Sequence, residues 1–156
     1  MIRTETRIRY ANGYLDLGML REASAELKAI DDEGQETPAC IAMWNRHHLS
    51  AKRWKALSAS AEQLTKIDPQ EPYGWVNWAY ALRELERISE AKEVAQRALA
   101  LHPKEAVLWF NLACYCCLLD KIDQAREHLK TAIDLEESFR EEAKTDPDLN
   151  RLRETD

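Results

Sequence analysis

The chain has 156 residues, 45% of them hydrophobic and 32% charged, which suits one domain with a sizeable core and is too short for two comfortable ones. With 4 glycines and 5 prolines, turn-rich β-structure is disfavoured and an all-α chain is expected. A formal net charge of −6, with cations and acids intermixed, argues against nucleic-acid binding, because phosphate neutralisation needs a concentrated cationic face.

No apolar run reaches the roughly 18–20 residues that span a bilayer, and the opening Met1-Ile2-Arg3-Thr4-Glu5 lacks a leader's apolar stretch, so no membrane insertion and a cytoplasmic location are expected. Four cysteines, Cys40 standing apart from Cys114, Cys116 and Cys117, read as buried thiols in a reducing compartment.

Pro69 and Pro103 are 34 apart and each follows an apolar helical stretch, which sets a 34-residue frame beginning at Thr4, Pro38, Pro72 and Ala106. Position 7 of that frame reads Tyr10, Trp44, Trp78 and Leu112, and position 8 reads Ala11, Asn45, Ala79 and Ala113. Position 20 reads Ala23, Leu57, Ala91 and Ala125, and position 27 reads Ile30, Leu64, Ala98 and Ala132. Two short antiparallel helices cannot bury their apolar faces alone, so each pair must stack on the next, and small residues at 8, 20 and 27 let backbones approach.

Helices are expected near 4–17, 20–32, 38–51, 54–67, 72–85, 88–101, 106–119 and 122–136. Thr37-Pro38 supplies an N-cap and a first-turn proline, Pro72 opens a helix after Asp68-Pro69, and Ser89 and Asp123 are N-cap candidates. Gly18, Lys52, Glu86 and Asp120 fall in the turns within pairs. Residues 138–145 read as a capping helix, Asp146-Pro147 as its stop and 147–153 as a helical turn folding back, with Phe139, Ala143, Leu149 and Leu152 facing the array.

Trp75, Trp78, Ala79, Leu82, Ala91, Ala95, Ala98 and Pro103 fill the places of the tetratricopeptide repeat motif, which the chain resembles over residues 4–137. The departures are Asn45 and Leu57 at small-residue positions, and Gln35 and Glu137 in place of the terminal proline. The resemblance implies a right-handed α-α superhelix, a solenoid of four helix pairs (4–37, 38–71, 72–105, 106–137) closed by a C-terminal capping helix and tail over 138–156. The run Ala143 to Arg153 is similar to tails that close such arrays.

By the same resemblance, positions 2, 5, 9 and 12 of each first helix line a concave groove for an extended peptide or helix of a partner protein. With the neighbouring position 6, this selects Asn12, Leu15, Arg46, Leu49, Tyr73, Val76, Asn77, Tyr80, Arg83, Phe110, Asn111 and Cys114. The face is more apolar than a solvated one, and aromatics with Arg are the groups enriched at binding anchors. The alternative is that curvature or the tail covers these residues as core. Chaperone-tail binding by a carboxylate clamp is not expected, because the clamp's Lys, Asn and Arg positions carry Ile8, Asn12, Met43, Tyr73 and Asn77.

The five tryptophans, Trp44, Trp54, Trp75, Trp78 and Trp109, fall at packing positions, as does His48, read as a hydrogen-bonded interior residue next to His47. Cys114 and Cys117 share a helical face without a second ligand pair at zinc spacing. The acidic runs at 31–33 and 136–137 lack a paired base or nucleophile, and no phosphate-loop, dinucleotide or zinc-protease motif occurs. The expected function is therefore a non-catalytic interaction scaffold without cofactor or metal. A self-associating homo-oligomer is the alternative, since Arg7 replaces an aromatic at position 4 and leaves the N-terminal end ambiguous.

Overall fold

The computed structural model describes residues 1–155; Asp156, the end of the expected tail, lies outside them. The described residues form helices and no strand. They are α1 (Thr4–Asp16), α2 (Leu20–Lys28), α3 (Asp32–Gln35), α4 (Pro38–Ser50), α5 (Trp54–Ile67), α6 (Pro72–Glu84), α7 (Ile88–Leu101), α8 (Ala106–Leu118), α9 (Ile122–Leu135), α10 (Phe139–Thr145) and α11 (Asn150–Glu154), with a 3-10 turn at Pro147–Leu149 before α11. By internal contacts the chain divides into two compact units, Met1–Trp78 and Ala79–Asp156, with the division inside α6.

Each pair reverses direction through the same turn. Gly18, Lys52, Glu86 and Asp120 all have positive φ, between 55° and 72°. Around each, two bonds close the helix end. In the first, Met19 N–H donates to the Tyr14 carbonyl at 2.8 Å and Gly18 N–H to the Leu15 carbonyl at 3.1 Å. The equivalents of the longer loop are Arg53 to His48, Arg87 to Leu82 and Lys121 to Cys116, at 2.8–2.9 Å. This is the Schellman arrangement, which satisfies last-turn carbonyls by turning one residue left-handed. Three of the four are not glycine, so the chain accepts a left-handed side chain to keep the turn tight.

In the first unit, α2 and α1 pack on α4, and α4 pairs with α5; in the second, α8 packs against α7 and α9. Positions 8 and 20 are buried in every repeat, as Ala11, Asn45, Ala79 and Ala113 and as Ala23, Leu57, Ala91 and Ala125. At Asn45 the larger polar residue is half satisfied: its Oδ1 accepts from the Ser60 hydroxyl on α5, while its Nδ2 has no hydrogen-bond partner among the described residues.

Three expectations need correction. The second helix stops at Lys28, four residues short of the expected end, and α3 follows it. Asp31 caps α3 by accepting from Gly34 N–H at 2.8 Å, and Gly34 is packed so closely that a Cβ there would meet the Ile30 side chain at 2.5 Å. The acidic run 31–33 thus sits at a helix N-terminus, where negative charge is favoured. Ser89 and Asp123 lie inside α7 and α9, whose N-cap residues are Arg87 and Lys121, without side-chain caps. His47, not His48, is the interior histidine: its Nε2 lies 3.1 Å from the Leu20 carbonyl, while half-buried His48 stacks on Trp44 with ring centroids 5.5 Å apart.

Of the tryptophans only Trp75 is buried; Trp44, Trp54, Trp78 and Trp109 are partly exposed. Three of their indoles nevertheless share a device. Trp75 Nε1 donates to the Pro69 carbonyl at 3.0 Å, and Trp109 Nε1 to the Pro103 carbonyl at 2.8 Å, the same pair of motif positions one repeat apart. In the second repeat Trp44 Nε1 donates at 3.0 Å to the side chain of Gln35, the residue at the missing proline's place. Gln35 Nε2 in turn donates to the Leu27 and Ile30 carbonyls, at 2.6 and 3.1 Å, satisfying the end of the shortened α2. One amide therefore closes α2 and holds α4.

Gln35→Ala removes three such bonds, each worth about 0.5–1.5 kcal/mol net. A loss of about 2 kcal/mol in urea unfolding and a red shift of tryptophan emission are expected. Burial and the neighbouring His47 and Arg53 charges hold His48 below its ordinary value of 6.5, so the folded state binds fewer protons than the unfolded one. The stability this group contributes is complete above that value and is lost as pH falls through and below it. His48→Gln should shrink the drop in melting temperature between pH 7.5 and 5.5.

Candidate functional site

The first-helix residues selected from sequence fall into two sets, one in each unit. In the first unit α1 carries Asn12 and Leu15, α4 carries Arg46 and Leu49, and the start of α6 carries Tyr73, Val76 and Asn77. Leu15 and Val76 are buried; Asn12, Arg46, Leu49 and Asn77 are half-buried, and Tyr73 is 58% exposed. Arg46 is held by α1: its Nη1 donates to Asn12 Oδ1 and its Nη2 to Asp16 Oδ1. Asn12 and Arg46 occupy the same motif position 34 residues apart, so the bond joins successive repeats and fixes a cation on the same helix face as Leu49. In this unit Arg7 pairs with Glu26 at 2.8 Å, an ion pair at the motif position that Ile41, Trp75 and Trp109 fill in the other repeats.

In the second unit the end of α6 carries Tyr80 and Arg83, and α8 carries Phe110, Asn111 and Cys114. Here the face is occupied by the chain's own tail. Phe139 of α10 stacks on Phe110 with ring centroids 4.7 Å apart and planes 20° from parallel. The 3-10 turn packs on α8, with Leu149 fully buried and Leu152 of α11 nearly so. Asp148 accepts two bonds from Arg83, 2.9 Å from Nε and 2.6 Å from Nη2, in a side-on fork. That carboxylate pushes the Arg83 pKa further up, so the cation is permanent.

Phe110 and Cys114, expected on an open groove, are thus buried under the tail, whereas Asn111, Tyr80 and Arg83 keep partial exposure. Phe139 was expected from sequence to face the array, whereas the part played by Asp148 was not read there. The signal was the Asp146-Pro147-Asp148-Leu149 run, whose acids could have been matched to Arg83. Burial, and then the charge of Glu84, raise the Tyr80 hydroxyl's pKa. Tyr115 is almost completely buried, and its hydroxyl has no hydrogen-bond partner among the described residues.

The sulfur of Cys114 and carboxylate oxygens of Asp146 and Asp148 lie within 4.8 Å of one another. A cation site there is disfavoured by the donors themselves. Both Asp148 oxygens are engaged by Arg83, and Asp146 Oδ1 accepts the Asp148 N–H at 2.9 Å. Burial, followed by the two carboxylates, raises the Cys114 thiol well above its ordinary value and keeps it protonated. Cys40 and Cys116 are raised by burial as well, and all four thiols are buried. With Ellman's reagent the native protein should release less than about one equivalent over minutes and all four after unfolding in guanidinium. Phe110→Ala should cost about 3–5 kcal/mol, as for a core aromatic.

Residues 74–113 match the family model of the tetratricopeptide repeat. Comparison with curated proteins gives no match. Among solved structures the chain is similar to TTC0263, a thermophilic TPR protein of Thermus thermophilus, with a TM-score of 0.79 and 20% identity over 97% of this chain and 86% of that one. It is also similar to MamA from Desulfovibrio magneticus RS-1, with a TM-score of 0.75 and 15% identity over 85% of this chain and 75% of that one. For MamA of MSR-1 the TM-score is 0.75, with 17% identity over 88% of this chain and 79% of the other. At these identities the likeness is one of fold.

Proposed function

We propose that this tetratricopeptide repeat protein is a non-catalytic scaffold that holds a peptide or helix of a partner protein on its first-helix faces. The reading takes 4–137 as the four-repeat array and the residues after it as its cover. The observation that carries it is the tail of the second unit. A segment outside the repeats lies on that face, fixed by a forked Arg83–Asp148 ion pair and by Leu149, so the face accepts peptide through one charged and one apolar anchor. The first unit offers a similar pairing of chemistries, Arg46 with Leu49 on one helix face, and exposed Tyr73.

Several features support the rest of the reading. The buried Cys114 thiol is held protonated and the Asp148 carboxylate is taken up by Arg83, so neither is poised as a nucleophile or a base. No helix of the described residues is long and apolar enough to cross a membrane. The carboxylate-clamp positions carry Ile8, Asn12, Met43, Tyr73 and Asn77, which cannot form a cationic cradle.

The test is site-specific photo-crosslinking in the native host. A benzophenone side chain at Leu49 or Tyr73 should give adducts with other proteins, while the same group at Lys66 or Gln96, on second helices, should not. Arg46→Ala should weaken the Leu49 adducts and cost less than about 1 kcal/mol of stability, because the pair it breaks is exposed. Equal labelling at all four sites would overturn the reading. Adducts made only with a second copy of the chain would replace it with self-association.

A further inference from the structure

We propose that the first-helix face of the second unit is a receptor for an acidic, leucine-bearing segment, and that the tail is a tethered copy of that ligand, displaced by an external segment of the same chemistry. The proposal rests on the scaffold reading above and names the partner's chemistry and its regulation.

Four observations carry it. The polar anchor is an ion pair rather than a further apolar contact. Arg83 and Asp148 side chains keep 21% and 18% of their exposure, so water reaches both and either can exchange partners without stranding a charge in the core. The buried anchors are few: Phe139 on Phe110, then Leu149 and Leu152. The tail's outer ties are exposed, Arg151 to Asp120 at 3.0 Å and Arg126 to Thr155 at 3.2 Å, and the pairs Arg140–Glu137 and Lys144–Glu141 stay within α10 and its approach. The connection from α9, Glu136 to Ser138, is exposed throughout, so no burial fixes the tail there.

The seat is also incompletely satisfied. Tyr115, 2% exposed and next to Cys114 on α8, has a hydroxyl without a hydrogen-bond partner among the described residues, and the Asp148 and Arg83 charges act on it. A buried hydroxyl left unpaired costs affinity that a better ligand recovers. A segment that brings an acceptor to that hydroxyl while its carboxylate takes Arg83 gains what the tail leaves unused. The recognised segment is therefore of the form Asp-x-Asp-Leu-x-x-Leu, acidic where Arg83 waits and apolar in the turn that follows.

Tethering gives the tail an effective concentration of about millimolar, so an external segment must compete at that level unless its own contacts are better. The probe is a fluorescein-labelled peptide of residues 144–154, added to the full chain. In the unaltered protein at several millimolar unlabelled peptide, hydrogen exchange of amides in 139–154 should quicken several-fold while α7 and α9 keep their rates. Asp148→Asn with Leu149→Ala, which loosens the tail and leaves the face intact, should bind the labelled peptide on the order of a hundredfold tighter than the unaltered chain. Arg83→Gln on that background, or Asn at the peptide's second acid, should abolish the gain.

Unchanged exchange of the tail at saturating peptide in the unaltered protein would overturn the proposal, whether or not the variants fold. So would a twofold monomer mass by light scattering without peptide that the Asp148→Asn, Leu149→Ala variant does not show, since that would mean tails exchanged between copies. Either result leaves the crosslinking at Leu49 and Tyr73 to decide the broader scaffold reading, since those positions belong to the first unit.

Discussion

The close approach of neighbouring helices is the constraint from which the rest follows. It requires a residue without bulk where two backbones meet, and Ala11, Ala23, Ala79, Ala91, Ala95, Ala98, Ala113, Ala125 and Ala132 meet that requirement, each at most 1% exposed. Once helices lie that near, the turn between partners has no room to wander, and the chain closes it with a left-handed residue and two backbone bonds. The strain of Lys52, Glu86 and Asp120 in that region is tolerated because the packing on either side fixes where the next helix must start. Turn, register and small-residue spacing are thus one constraint seen at three places.

Where the constraint relaxes, polar chemistry takes over. The first repeat lacks the proline that ends its neighbours, and its second helix stops at Lys28, where the Leu27 carbonyl accepts only the Ile30 N–H at 3.2 Å from the backbone that follows. Gln35 donates to the Leu27 and Ile30 carbonyls and still offers its oxygen to Trp44, so an indole bond that elsewhere uses a backbone carbonyl is kept through a side chain. At Arg7, where later repeats carry Ile41, Trp75 and Trp109, an ion pair to Glu26 joins α1 to α2. A departure from the repeat is therefore read by asking which backbone group or ring it leaves unpartnered.

The 34-residue period was legible because it is written in volume: Ala or another buried residue returns at fixed offsets, and helix starts at Thr4, Pro38, Pro72 and Ala106 follow from it. Turn residues at 18, 52, 86 and 120 were legible for the same reason. Less legible was anything decided by a third element. His47 and His48 are neighbours about 100° apart on α4, and which one is interior depends on where the Leu20 carbonyl arrives. Trp44, Trp54, Trp78 and Trp109 sit at packing positions yet keep partial exposure, whereas Trp75 is buried, a difference the motif position does not carry because Trp75 and Trp109 share one. Ser89 and Asp123 have the chemistry of caps, but the turn geometry starts their helices earlier, so the cap falls to Arg87 and Lys121.

Phe110 and Cys114 show why this face was harder to read than the fold. Periodicity places them on the same side of α8 as the open positions of the other repeats, and nothing in the spacing distinguishes a face open to partners from one that the chain covers itself. What distinguishes them is complementarity across sequence: one cation, Arg83, against one acid, Asp148, 65 residues on, and one ring, Phe110, against another, Phe139. The tail carries on one short segment the acid and the leucines that fit this face. The acid of that segment meets a guanidinium in a fork, which fixes orientation as well as charge, and the leucines fix depth. In the displacement proposed above, affinity depends on how much better an external segment fits than the tethered one, and specificity on matching an acid and a leucine at adjacent positions, not on the apolar area of the face.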